Sequence, residues 1–244
     1  MRSNYPIINV YKKNNIKSEV VTQLLYGDTF KKIKRKGSWI KIRNDLDHYK
    51  GFIKNKNFSA NQKNTHKINA LYANLYAKPK LKKKLKKKLS FGSRIKIIDK
   101  NGVFYKFDNL WIKKKDLKKE NYKTKDIFKN IKKFVNVKYK WGGKHFTGVD
   151  CSGLIQLYLN FNNTYCPRDT KDQIKYFKNK LKLEKVKKND LIFWKSHVAL
   201  IISKNKLIHG YGPLKKVVIM PIKKTIDRIN KTANLKVIGI RRIN

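Results

Sequence analysis

Short apolar stretches separated by polar turns dominate the first half of the chain. Trp39-Ile40-Lys41-Ile42-Arg43 alternates apolar and polar, the period of a half-buried strand. Val20–Tyr26 and Thr29–Ile33 read as further strands. Tyr26-Gly27-Asp28 and Lys36-Gly37-Ser38 supply the turns between them. Residues 5–58 are therefore expected to form a small β-barrel or sandwich. Residues 65–118 repeat the theme. Leu71–Tyr76 begins the second copy, Ser90-Phe91-Gly92-Ser93 resembles Leu25-Tyr26-Gly27-Asp28, and Trp111-Ile112-Lys113 resembles Trp39-Ile40-Lys41. The spacing is about seventy residues and fits two copies of one module, with the polar run 59–64 as linker. Leu81–Leu89 sets a leucine at every fourth position among lysines. On a helix this would be an apolar stripe on a basic rod; after Pro79, and inside a β module, a lysine-rich loop or strand edge is the better reading.

The texture changes near residue 122. Ile127, Phe128, Ile131, Phe134 and Val135 fall at helical spacing, and Leu154–Leu159 reads as a buried helix. After Asn189 the pattern is strand-like over Leu191–Trp194, His197–Ile202, Leu207–His209, Val217–Met220 and Val237–Ile240. Helices first and strands after them predict an α+β domain, with helices packed on an antiparallel sheet.

With 244 residues and 40% hydrophobic residues, the chain can bury a core in each unit. No apolar run approaches the ~20 residues that span a bilayer. The first residues lack the apolar stretch of a secretory signal, so a cytoplasmic protein is expected, or an exported one if a leader preceded residue 1. The formal charge is +47. Part of this reflects drift toward Lys, Asn and Ile, since the lysines are scattered along the chain. Scattered charge still implies weak affinity for polyanions, without the clustered footprint of a specific nucleic-acid site.

Two cysteines are present, too few for a disulfide framework or a four-cysteine zinc site. Cys166 has neither helix cap nor partner histidine and reads as structural. Cys151 differs. Asp150 is a good N-cap, which puts Cys151 in the first turn of the apolar helix. There the dipole and free backbone N–H groups favour a thiolate and can stabilise an oxyanion. A thiolate nucleophile needs a base. His197 opens a strand and His209 ends the next. If Ser203-Lys204-Asn205 closes a three-residue hairpin loop, with Asn205 left-handed, Ala199 lies opposite His209. His197 then stands diagonal to His209 on one face, and the second histidine can orient the first. His48, His66 and His145 show no partner pattern and are expected at the surface. Trp141 and Trp194 read as core or as substrate contacts. No metal or other cofactor is expected.

Taken in order, Tyr139-Lys140-Trp141-Gly142-Gly143, Asp150-Cys151-Ser152-Gly153-Leu154, Pro167-Arg168-Asp169-Thr170, Asp190–Trp194, His197-Val198-Ala199 and Leu207-Ile208-His209 resemble the NlpC/P60 family of papain-like cysteine peptidases. Asn9-Val10-Tyr11, Leu25–Asp28 and Asp47–Phe52 resemble bacterial SH3-type domains. The resemblance implies a catalytic domain over 122–244 behind two small all-β SH3-like barrels at 1–60 and 65–120. It implies Cys151 as nucleophile, His197 as base and His209 as orienting group. Tyr139 would shape the oxyanion site, and Asp150 and Ser152 would bind a free substrate amine. Arg168 would lie near the site, and Tyr49 would reach over the cleft from the first SH3-type module. One departure is the Lys187-Lys188-Asn189-Asp190 turn, where the family usually has Pro-Gly-Asp. With this architecture the chain is similar to the γ-D-glutamyl-L-diamino acid endopeptidases, and a monomer acting on murein peptides with a free N-terminal L-Ala is expected. Two alternatives stand beside it: an exported hydrolase of intact peptidoglycan, and a non-catalytic polyanion binder.

Overall fold

Short strands build the first unit as the sequence predicts, with alternating burial in Trp39–Asn44. The computed structural model describes residues 1–243. Its first five strands are β1 (Ile7–Tyr11), β2 (Val20–Leu25), β3 (Phe30–Lys36), β4 (Trp39–Asn44) and β5 (Lys50–Lys54). They pair antiparallel in the order β2-β1-β5-β4-β3. Ile8, Val10, Leu24, Phe30, Ile40, Ile42 and Ile53 fill the core of this sheet.

The second unit contains β6 (His66–Ile68), β7 (Tyr72–Tyr76), β8 (Lys84–Ser90), β9 (Arg94–Ile95), β10 (Asp99–Asn101), β11 (Phe104–Phe107), β12 (Leu110–Lys113) and β13 (Leu117–Lys119). Its five-stranded sheet runs β10-β11-β12-β7-β8, and β13-β6-β9 form a smaller one. Strand for strand, the larger sheet follows the order of the first. Neither closes by hydrogen bonding, so the expected barrels are open sheets. The lysine-rich segment is no basic rod: Leu81–Lys83 makes one 3-10 turn and the rest is the edge strand β8. Leu89 points into the core while the lysines face solvent. Lysines on an edge discourage pairing with another chain.

The third unit starts with a hairpin of β14 (Lys144–His145) and β15 (Gly148–Val149), then α1 (Cys151–Phe161), α2 (Thr170–Tyr176) and β16 (Asn179–Lys180). There follow β17 (Leu191–Trp194), β18 (His197–Ile201), β19 (Lys206–Tyr211), β20 (Lys216–Pro221), α3 (Ile222–Ala233) and β21 (Gly239–Arg242). The sheet order is β16-β21-β17-β18-β19-β20, antiparallel throughout. Asn189 takes a positive φ of 75°, so asparagine makes the turn before β17.

Two features depart from the sequence reading. The helical spacing of residues 127–135 yields only a 3-10 turn at Ile131–Phe134, because Asn130 and Asn136 on either side are left-handed and interrupt the helix. Phe128, Ile131 and Phe134 are buried all the same. Conversely, α3 lies where the strand-like pattern after Asn189 predicts no helix. Ile222, Thr225 and Ile229 form its buried face, and left-handed Asn234 ends it. Among the described residues no helix is long and apolar enough to cross a membrane.

All eleven residues of α1 are buried, and all three units meet on it. Leu25 of the first unit and Phe91 of the second join its core. Phe91 stacks on Phe161 with ring centroids 4.6 Å apart and lies 4.7 Å from Tyr158. At the helix C-terminus, Lys67 donates to the Phe161 carbonyl at 2.5 Å and Arg94 to the Asn160 carbonyl at 2.9 Å. Two cations from the second unit thus satisfy the negative end of the helix that Cys151 begins. Gly27, at φ +84°, packs so near this junction that an added Cβ would lie 2.0 Å from the Arg94 carbonyl oxygen.

Candidate active site

Asp150 starts α1 as expected, with its Oδ1 accepting from Gly153 N–H at 2.7 Å. This cap sets Cys151 at the first helical position. Strand β19 crosses close against it: a Cβ on Gly210 would sit 3.1 Å from the Asp150 carbonyl carbon and 3.2 Å from Cys151 N, tighter than ordinary van der Waals contact. Backbone N–H groups of Val198 and Ser152 point at the thiol, which places the start of β18 beside it.

The hairpin register is the expected one. Leu200 pairs with Ile208, Ile201 pairs with Leu207, and residues 203–205 form the loop. Asn205, however, is not left-handed. His197 Nε2 lies 2.8 Å from His209 Nδ1. His209 is 1% exposed and stacks on Tyr211 at 4.7 Å. Burial pushes His197 down to about 4 and His209 well below the usual histidine range. It pushes the Cys151 thiol up to about 11, with Asp150 adding to the shift. This reverses the thiolate expected from the helix position: in the buried site desolvation outweighs the dipole. Cysteine and histidine are both neutral here. Tyr139 is held in its phenol form by burial and by the neighbouring thiol and Asp150.

The Asp150 carboxylate is occupied. Besides Gly153 it accepts from Gly142 N–H at 2.8 Å and from both Arg168 Nη atoms, at 3.1 and 2.6 Å. Arg168 also donates to Ser152 Oγ and to Thr22 Oγ1 of β2. Arg168 is thus a strut that joins the start of α1 to the first unit. Asp150 and Ser152 line the cleft, and the Asp150 carboxylate is shared among Gly142, Gly153 and Arg168.

The cleft around Cys151 measures about 350 Å³ and is walled on one side by the first unit. Tyr49 reaches in from that unit and donates its hydroxyl to Asp169 Oδ2 at 3.0 Å. Glu19 lines the same wall, accepting from Trp141 Nε1 at 2.7 Å and from Lys12 at 3.2 Å. Asp169 and Glu19 were not singled out from the sequence. Asp169 was within reach, since it belongs to the Pro-Arg-Asp motif. Glu19 carries no local signal; only the docking of the first unit brings it to the cleft. Trp141 is 54% exposed and lines the cleft, whereas Trp194 is core. Cys166 is fully buried against Gln173, and His48 is exposed. His145, expected at the surface, is buried beside Thr147 in the β14–β15 hairpin, because that hairpin packs under the first two units. Among the described residues no group of three or more His, Cys, Asp or Glu side chains gathers as a metal site.

Residues 136–232 match the NlpC/P60 family, and residues 8–59 match the bacterial SH3 domain. The chain is 22% identical over 228 residues to dipeptidyl-peptidase 6 of Lysinibacillus sphaericus, covering 83% of this chain and 84% of that protein. It is 25% identical over 241 residues to a gamma-D-glutamyl-L-lysine dipeptidyl-peptidase of Bacillus cereus, covering 84% and 71% respectively. A crystal structure of an NlpC/P60 family protein from Bacillus cereus shares the fold with a TM-score of 0.83 at 20% identity. The match covers 99% of this chain and 98% of that one.

Proposed function

We propose, for a chain whose C-terminal domain belongs to the NlpC/P60 family of cysteine peptidases and follows a bacterial SH3 domain, that it hydrolyses the γ-D-glutamyl–diamino acid bond of murein peptides with a free N-terminal L-Ala. One observation carries the reading: a helix-capped cysteine, with a hydrogen-bonded histidine pair on the strands that cross it, lines a cleft that also holds the carboxylates Glu19 and Asp169 beside Tyr49. These carboxylates can pair with the ammonium end of a short peptide, while Lys12, Lys50 and Lys171 line the same cleft.

In this mechanism Cys151 Sγ attacks the γ-carbonyl of D-glutamate while its proton passes to Nδ1 of His197. His209 engages Nε2 of the same ring and fixes its orientation. The oxyanion is met by backbone N–H groups at the start of α1 and by the Tyr139 phenol. Collapse expels the diamino acid amine, which takes its proton from His197. Water, activated by His197, then attacks the thioester and releases L-Ala-D-Glu and the free thiol. Asp150 and Ser152 act here as scaffold. With Arg168 they hold the nucleophile loop, and the ammonium is read by Asp169, Glu19 and Tyr49.

The second β unit is read as another SH3-type module, supported by its matching strand order and by Gly27 and Gly92, both at φ +84°. A cleft walled at the amine end favours released peptides over crosslinked wall. The proposed setting is therefore recycling of wall peptides inside the cell by a monomer. Mass-spectrometric assay of L-Ala-γ-D-Glu-diaminopimelate, its N-acetylated form and intact sacculi tests this, with Cys151→Ala as control. Release of L-Ala-D-Glu from the free-amine peptide alone is expected. Activity on sacculi would turn the modules into wall anchors, and no Cys151-dependent cleavage would leave polyanion binding as the leading function.

A further inference from the structure

Tyr49 hangs from a short loop between β4 and β5, in a unit separate from the catalytic one, yet its hydroxyl must sit within hydrogen-bond reach of Asp169. The loop has a strained element. His48, immediately before Tyr49, takes a φ of +58° and carries an exposed side chain that makes no anchor. A non-glycine residue holds that conformation only when its surroundings impose it.

Asp47 imposes it. Its Oδ1 accepts from Tyr49 N–H at 3.0 Å, closing a side-chain turn across His48. Its Oδ2 accepts from Gln156 Nε2 at 2.8 Å. Gln156 lies on α1, the helix that begins with Cys151, and is 0% exposed, while Asp47 is 8% exposed. The same Nε2 donates to the Cys166 carbonyl at 3.0 Å, two residues before Arg168. One buried amide therefore ties three pieces together: the nucleophile helix, the segment leading to Arg168-Asp169, and the loop that carries Tyr49.

We infer that Asp47 and Gln156 are a positioning pair that sets the Tyr49 hydroxyl against Asp169 and so fixes the amine-reading wall relative to Cys151. The inference rests on the functional reading above. Gln156 touches neither substrate nor reacting atoms in this scheme, and acts through Tyr49. Within the docked first unit, the pair sets where the Tyr49 loop stands. A module attached only by its linker would leave Tyr49 free to move by far more than the fraction of an ångström that a hydrogen bond tolerates.

A double-mutant cycle decides the matter. Gln156→Leu removes the donor, Tyr49→Phe removes the hydroxyl, and both are assayed on the free-amine tripeptide. Gln156→Leu is expected to raise KM about 10-fold with kcat held within about 2-fold, and to add less than about 2-fold in the Tyr49→Phe background. A separate readout independent of turnover is 19F NMR of 3-fluorotyrosine at position 49, expected to give one sharp resonance in the parent and a shifted or broadened one in Gln156→Leu. If Gln156→Leu fails to fold, Asp47→Asn, of equal volume, enters the same cycle. An unchanged KM and an unchanged 19F resonance in a folded variant overturn the inference, as do effects that multiply fully with Tyr49→Phe. A parent enzyme that cleaves no γ-D-glutamyl peptide, with the 19F response intact, overturns the functional reading and leaves the positioning pair standing.

Discussion

The Cys151 thiol meets the backbone N–H of Val198, the residue after His197, and both cysteine and histidine have their charges suppressed. The thiol is held up to about 11 and the imidazole down to about 4, so over most of the pH scale neither is ionised. Proton transfer then accompanies attack, instead of preceding it in a resting ion pair. Alkylation by iodoacetamide should consequently accelerate steadily with pH and level off only near 11. A plateau below pH 8 would reveal a preformed thiolate and contradict this. His209→Ala removes the proposed orienting group of His197, which lies 2.8 Å from it. We expect kcat to fall about 10²-fold with KM little changed, since a misoriented base hurts the transition state more than binding. Steady-state kinetics on the tripeptide checks this. Both histidines could be placed from the sequence because the strand period fixes which side chains share a face. Their proton affinities could not, because those depend on burial.

Among the elements, the start of α1 is held by charge as much as by its cap. Arg168 and Asp150 have side chains only 2% and 7% exposed and are paired through two contacts. Asp150→Asn leaves a buried guanidinium without its counter-charge, at a cost of about 3–5 kcal/mol. Calorimetry should show a Tm lower by about 10 °C. The loop before α1 is constrained in another way. Gly142 has φ +73°, and a Cβ there would lie 2.2 Å from the Val20 carbonyl oxygen of β2. Gly142→Ala is therefore expected to prise the first unit from the cleft. Activity should fall and limited proteolysis should cut the 55–65 segment faster, while the far-UV spectrum stays that of the parent. Parent-like proteolysis would mean that the contact yields more easily than its geometry implies. The glycine was legible as part of a motif, but its partner at Val20, far away in sequence, was not.

For the whole molecule, buried neutral histidines make folding sensitive to acid. His145 and His197 are both lowered to about 4, against about 6.5 in an unfolded chain. Between these values the unfolded state binds more protons, so stability falls as pH falls through this window. A thermal series from pH 7 to pH 4 should show a falling Tm. His145→Gln, which cannot titrate, should flatten that slope. An equal slope in the variant would assign the acid sensitivity to other groups.

The sequence by itself determined the local parts: alternating strands, the Asp150-capped helix with Cys151 in its first turn, and the Ala199–His209 register. Each of these follows from periods and caps that act within a few residues. Tertiary structure alone decided that Glu19, Tyr49 and Asp169 share one wall, that Arg168 is a strut and that Asp150 is already satisfied. Those outcomes depend on burial and on contacts between groups up to 146 residues apart, such as Arg168 and Thr22. No local pattern encodes such a meeting; it exists only once three separately readable units have packed around one buried helix.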